Sequence, residues 1–207
     1  MSVLNILDIN IGSNNKANVV FEQLFPSFLG VEYSKPSEYI QKYWKAYQNY
    51  SEKNSNLNDK IFKYILATLF VREDILPFYV SAKAAFVPNV LFDLMLYTSE
   101  RGPICLSAKT SLRERYKQAD LEAIALKYVH RKALSYLITL EENEANSVKE
   151  KIKSGDVIGL DDVIVATKPE FDRLIFSLKK YKLSEPPTVK VIESNQIITK
   201  EKKDLLK

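Results

Sequence analysis

Cysteine is almost absent from this chain. Cys105 stands alone among 207 residues, so there is no internal disulfide framework, and the usage fits a reducing compartment. Cys105 follows Ile104 in an apolar run and is expected to be a buried structural thiol rather than a nucleophile. Histidine is equally scarce. His130 is the single one, beside Arg131 and Lys132 at an expected helix end, which leaves no His-pair metal site and no conventional Ser-His-Asp triad. A capping or phosphate contact is the expectation for it. Of the five glycines, Gly155 and Gly159 bracket Asp156-Val157-Ile158 with neither lysine nor helix signature, so this stretch reads as a turn and not as a phosphate-cradling loop. No apolar run approaches the ~20 residues of a membrane span, and the N-terminus lacks a basic-then-apolar signal pattern. A soluble, cytoplasmic protein is expected.

What is present is a substantial core, with 46% hydrophobic residues. The length fits one domain over 1–207, with a helical N-terminal subregion at 1–55 and an α/β core at 56–200. Ser34-Lys35-Pro36 starts a helix on which Tyr39, Tyr43, Tyr47 and Tyr50 share a face. That stripe is expected in the core, with Trp44 beside it. A second amphipathic helix runs from Asp59 to Phe70. Extended segments follow at Phe78–Phe86, Val90–Tyr97 and Pro103–Lys109, then a helix at Leu112–Tyr128. Beyond it the pattern predicts a strand at Ser135–Leu140, a helix at Asn143–Ser154, a strand at Val163–Ala166 and a helix at Pro169–Tyr181. Val189–Ile198 reads as a last edge strand and Thr199–Lys207 as a frayed, charged tail. Strands alternating with helices after an antiparallel start give an α/β fold, a mixed central β-sheet flanked by helices.

The net charge of +4 says little, but its distribution says more. From Arg101 to Lys132 eight Lys/Arg face three Asp/Glu, a local +5 that exceeds the total for the chain. Such a patch suits a polyanion. Within it lies the run Leu106-Ser107-Ala108-Lys109-Thr110-Ser111-Leu112-Arg113-Glu114-Arg115-Tyr116, with Asp93 upstream and Glu122 downstream. Asp93 is a carboxylate in an otherwise apolar strand, so it needs a partner, either a metal or a lysine. Lys109 ends the next strand. Ser111 and Glu114 have the spacing of a capping box. On the following helix Leu112, Tyr116, Ala119, Ala123 and Leu126 form the inward stripe, and Glu122 flanks it on the side of the sheet end. Leu121, Ile124 and Ala125 make a second apolar surface, suited to another element or a second subunit.

Asp93, thirteen residues, Ser107-x-Lys109, twelve residues and Glu122 resemble the PD-(D/E)XK nuclease superfamily. They are most similar to its type II restriction endonucleases in which serine replaces the usual acid and the following helix supplies the carboxylate. Arg113-Glu114-Arg115 resembles the Arg-(Asp/Glu)-Arg triplet of members that read CC:GG base pairs. The resemblance implies a restriction-endonuclease-like fold over Phe78 to His130 and Mg²⁺ held by Asp93 and Glu122. It also implies that Lys109 orients the hydrolytic water, and that Ser107 fills the vacated acid position and hydrogen-bonds a metal-bound water. DNA contacts fall to Arg113, Glu114, Arg115 and Lys117: arginine can be bidentate to guanine, and glutamate accepts from cytosine N4. The implied partners are double-stranded DNA, a second copy of the chain, and a cognate DNA methyltransferase in the same prokaryotic system. Two departures stand out. Proline does not directly precede Asp93, and Lys63 occupies the helical position where many members carry a further glutamate. The competing readings are a structure-specific repair or junction nuclease and a catalytically silent DNA-binding protein.

Overall fold

The computed structural model describes residues 3–9, 16–186, 192–194 and 196–206. Among these the chain forms α1 (Val3–Ile6), α2 (Lys16–Leu24), α3 (Pro36–Gln48), α4 (Ser55–Arg72), β1 (Phe78–Ala84), β2 (Phe92–Thr98), β3 (Gly102–Lys109), α5 (Arg115–Val129) and β4 (Leu134–Thr139). It continues through α6 (Glu142–Ser154), β5 (Asp162–Val165), α7 (Pro169–Leu178), β6 (Ile192–Glu193), β7 (Ile197–Ile198) and α8 (Lys200–Asp204). None of these helices is long and apolar enough to cross a membrane.

The sheet is mixed, in the order β5-β4-β3-β2-β1-β6, with β7 also paired to β1. β1, β2 and β3 form an antiparallel meander, whereas β3, β4 and β5 run parallel, joined by crossovers through α5 and α6. β3 is central and buried from Pro103 to Ala108, as a strand covered on both faces must be. Ile104, Leu106 and Ala108 face the cluster shared with α2, α3, α4 and α7. Cys105, on the opposite face, packs with Met95 and Leu126. A third cluster joins Leu112, Ala119 and Ala123 to Leu137, Val163 and the α6 residues Ala145 and Val148. Helices therefore cover both faces, and the fold is the α/β arrangement that the sequence pattern predicts.

Local signals explain the helix boundaries. α3 starts with proline in its first turn, and Asn54 caps α4 by accepting from the Leu57 N–H. α4 is apolar almost all round, so it is sandwiched between the sheet and the outer helices. Tyr39, Tyr43 and Tyr47 are buried beneath α3. Trp44 packs against Tyr47 and Phe62, with ring centroids at 5.2 and 6.2 Å. α6 stops at Gly155, whose φ of +83° is the left-handed conformation that glycine adopts without strain.

Two features at the C-terminal end differ from the sequence expectation. The last edge strand is two short pieces, Ile192–Glu193 and Ile197–Ile198, while residues 189–191 and 195 lie outside the described residues. The tail is not simply frayed. Thr199 caps α8 by accepting from the Lys202 N–H, and Lys202 and Lys203 pair with Asp8 and Asp74.

Candidate active site

The site is set by a fork between two strands. β2 and β3 stay in register from Thr98–Gly102 to Leu94–Leu106, and the ladder then ends. Continued, that register would place Asp93 opposite Ser107. Instead the Asp93 Oδ2 accepts the Ala108 N–H at 2.9 Å and the Lys109 ammonium at 3.1 Å. A side-chain carboxylate thus takes over as acceptor where the strands part, as buried backbone donors require. β2 stays paired to β1, where Ser81, between the paired Val80 and Ala82, falls opposite Asp93. Ser81 has a φ of +49°, a left-handed backbone that is uncommon for a residue with a side chain. The Asp93 and Lys109 side chains are 21% and 23% exposed, so the pair is sheltered yet open to a ligand. Ser107 lies two residues before Lys109, on the same strand face, and is buried.

Glu122 joins this pair from α5. Burial raises its carboxyl pKa, and a hydrogen bond from Gln118 (2.8 Å) and the Lys109 ammonium oppose the rise. The Asp93 charge adds to it, so Glu122 shares one electrostatic environment with both residues. Lys63 enters from α4, donating to the Ser81 Oγ at 2.9 Å. Its pKa is lowered by burial, partly offset by Asp93, with Lys109 and Lys60 lowering it further. Asp93 and Lys109 therefore meet at the fork, with Ser107 on the same strand face and with Glu122 and Lys63 within electrostatic reach of the pair.

Does this donor set suit a hard cation? Asp93 Oδ1 and Glu122 Oε2 accept no hydrogen bond from the described residues. Two unengaged carboxylate oxygens match Mg²⁺, which takes one or two carboxylates and fills its octahedron with water. Among the described residues no three His, Cys, Asp or Glu side chains gather as a complete cage. The fit is therefore to a hydrated ion, not to a dehydrated structural metal.

The turn between β3 and α5 departs from expectation. α5 begins at Arg115, not Leu112, because Leu112 is buried and its N–H is taken by Glu144 of α6 at 2.5 Å. Ser111 and Glu114 form no capping box, since Glu114 makes no side-chain cap bond and pairs instead with Lys117 in solvent. Arg113 has a φ of +39°, a strained conformation that costs about 1–3 kcal/mol and persists only where surroundings enforce it. Arg113 is exposed and makes no hydrogen bond or ion pair with the described residues. Arg115, expected to contact DNA, is half-buried and engaged within the chain. Its guanidinium donates to Asp59 and, through Nε at 2.9 Å and Nη2, to the Ser111 carbonyl.

Asp59 is the residue that sequence reasoning missed. It also accepts the Thr110 N–H (2.9 Å) and hydroxyl (2.7 Å). Burial pushes its pKa up, but the Thr110 bonds and Arg115 outweigh that and hold it below the usual range. Its place in the first turns of α4 carries no sign of a partner fifty residues on. Ser55, Asn58 and the turn residues Thr110, Ser111, Arg113, Glu114 and Arg115 line an open cleft of about 580 Å³. A larger one, about 680 Å³, is lined by residues such as Leu76, Ser184 and Thr199 and contains none of the residues above. His130 ends α5 with its Nε2 3.0 Å from the Ala85 carbonyl oxygen. Cys105 is fully buried.

No protein-family model matches the chain, and no curated protein matches it. Among solved structures it superposes on the restriction endonuclease PspGI in complex with substrate DNA. The TM-score is 0.52 at 16% sequence identity, covering 84% of each chain. The fold is that of a restriction endonuclease. At this identity the likeness concerns the path of the chain. The chemistry must be argued from the residues at the fork.

Proposed function

We propose that this protein is a Mg²⁺-dependent type II restriction endonuclease that cuts double-stranded DNA at a site containing adjacent G:C pairs. The observation that carries this reading is the Asp93–Lys109 pair where β2 parts from β3, with Glu122 in the same electrostatic environment. The shared fold with a DNA-bound restriction enzyme supports it. Asp93 Oδ1 and Glu122 Oε2 would hold the ion. An ion held there would supply Lewis-acid polarisation of the phosphate and a lowered pKa for the attacking water. Lys109, fixed by Asp93, orients that water and stabilises charge developing on the phosphoryl oxygens. Ser107, at the end of the same strand face, supplies a hydroxyl to the hydration shell. Arg113 and Glu114 project from the turn to meet guanine and cytosine edges, and Lys117 contributes to phosphate attraction.

The enzyme acts as a homodimer, matching the two-fold symmetry of its DNA. The exposed Leu121 and Tyr128 on α5 are apolar surface that a second copy would cover. A cognate methyltransferase protects the host site. Incubation of phage DNA with the protein and Mg²⁺ tests this reading. Discrete fragments are expected, lost by about 10²-fold or more in Lys109→Ala and Asp93→Ala. Wild-type rates in either variant overturn it. Leu121→Asp is expected to shift the sedimenting species from dimer to monomer.

One observation favours a second reading, a catalytically silent DNA-binding protein. Lys63 stands near Asp93 and adds positive charge where a cation must bind. Retarded DNA mobility without any cleavage in Mg²⁺ or Mn²⁺ would select it.

A further inference from the structure

The five residues from Thr110 to Glu114 are held from two different layers of the molecule. From α4, Asp59 takes the Thr110 N–H and hydroxyl and the Arg115 guanidinium. From α6, on the opposite face of the sheet, Glu144 takes the Leu112 N–H. Arg115 closes the turn on itself through the Ser111 carbonyl. These ties fall on both sides of Arg113, on Thr110 and Leu112 before it and on Arg115 after it. Its left-handed backbone needs such enforcement, while its own side chain makes no hydrogen bond or ion pair with the described residues. Three of the five guanidinium donors of Arg115 are engaged by Asp59 and the Ser111 carbonyl, and a base edge could be met only by the remaining two or by exchange of these ties.

We infer that Arg115 is not a base reader, and that Asp59, Arg115 and Glu144 are positioning residues that clamp the turn so that Arg113 and Glu114 alone are presented to the bases. This rests on the reading of the protein as a site-specific endonuclease and deepens it. It divides the Arg113-Glu114-Arg115 triplet into two presented side chains and one structural one. The clamp works by preorganisation: a turn already in its binding conformation does not pay its ordering entropy when DNA arrives.

The test compares cleavage of the site the wild type prefers with cleavage of the same site changed at one base pair. Asp59→Asn keeps an acceptor for Thr110 but removes the charge that holds Arg115. Arg115→Met removes the guanidinium at similar length. Each is expected to lower the discrimination ratio by about tenfold, at the low end of what a base contact is worth. The double variant should be no worse than either single one, because both act through the same tie. Glu144→Ala should lower the ratio as well, and Glu144→Gln, which retains an acceptor for Leu112, should restore it. Hydrogen exchange gives a readout independent of cleavage: the Leu112 and Arg115 amides should exchange faster in Arg115→Met. It also serves if Asp59→Asn fails to fold, which its thermal midpoint would show.

The inference is overturned if Asp59→Asn discriminates as well as or better than wild type while Arg115→Met loses discrimination. In that case Arg115 reads a base itself and Asp59 merely stores it. It also fails if neither variant changes the ratio. Failure of the parent reading looks different: the wild type would then give no discrete fragments before any substitution is made.

Discussion

Replacing Gly159 by alanine tests whether the placement of α5, and of Glu122 on it, depends on one close backbone approach. Gly159 donates to the Asp120 Oδ1 at 2.6 Å, and the Leu160 N–H donates to the same oxygen at 3.2 Å. A Cβ at Gly159 would lie 2.7 Å from the Ile124 nitrogen and 2.8 Å from its Cγ1, and closer still to the Asp120 carbonyl oxygen, where ordinary contact begins at 3.4 Å. The obstruction is helix backbone, so rotating a side chain does not relieve it. α5 must retreat by roughly 1 Å to restore ordinary contact at the Asp120 carbonyl. Overpacking of this kind costs about 1–3 kcal/mol, and in a chain of this length each kcal/mol lowers the melting midpoint by about 2–4 °C. A fall of about 5 °C by scanning calorimetry is expected. Glu122 lies two residues from Asp120 and moves with the helix; in the role proposed for it, a misplacement of about 1 Å can cost on the order of 10²-fold in rate. Cleavage should therefore fall further than the loss of folded protein explains. A Gly159→Ala protein with the wild-type midpoint and wild-type cleavage would refute both halves of this reasoning.

Other predictions concern separate parts of the molecule. Asp59 has its pKa depressed on folding, so it contributes stability that is present above the unfolded aspartate pKa and lost as pH falls through the folded value. Between neutrality and about pH 3, Asp59→Asn should show a flatter decline of midpoint than wild type, and parallel curves would contradict this. Tyr39→Phe removes a buried hydrogen bond to the Thr68 Oγ1 of 2.9 Å. The expected loss is about 1 kcal/mol, readable by urea titration, and an unchanged transition midpoint would count against it. Burial pushes the Cys105 thiol well above its ordinary pKa. A thiol-specific reagent at pH 8 should leave the native protein unlabelled and modify one cysteine per chain in denaturant. Rapid labelling of the native protein would show that β3 is more accessible than its packing implies.

Much of this molecule is legible in its sequence where contacts are local. The tyrosine spacing placed Tyr39, Tyr43 and Tyr47 on one buried face, and the apolar run ending at Lys109 became the central strand. Asp93 and Lys109 are partners across a short hairpin, so a carboxylate in an apolar strand and a lysine at the next strand end point to each other. The turn at 110–114 is different. Its Ser-x-x-Glu spacing predicts a capping box, but Glu144 takes the Leu112 N–H and tertiary context overrides the local motif. Asp59 lies 51 residues from Thr110 and 56 from Arg115, with no periodicity linking them. The engagement of Arg115 within the chain was hidden for the same reason. The edge pieces β6 and β7 were read as one strand because alternation does not reveal where pairing is interrupted.

The ties that build the fork and those that brace the turn differ in span along the chain. Asp93 reaches only 15 and 16 residues to Ala108 and Lys109. The turn depends on anchors 32 to 56 residues away, on two helices outside that hairpin. Local hairpins reclose quickly, whereas long-range anchors are released by any partial opening of the helical layers. Under the proposed function, mild urea below the main unfolding transition should therefore erode site choice before it erodes turnover.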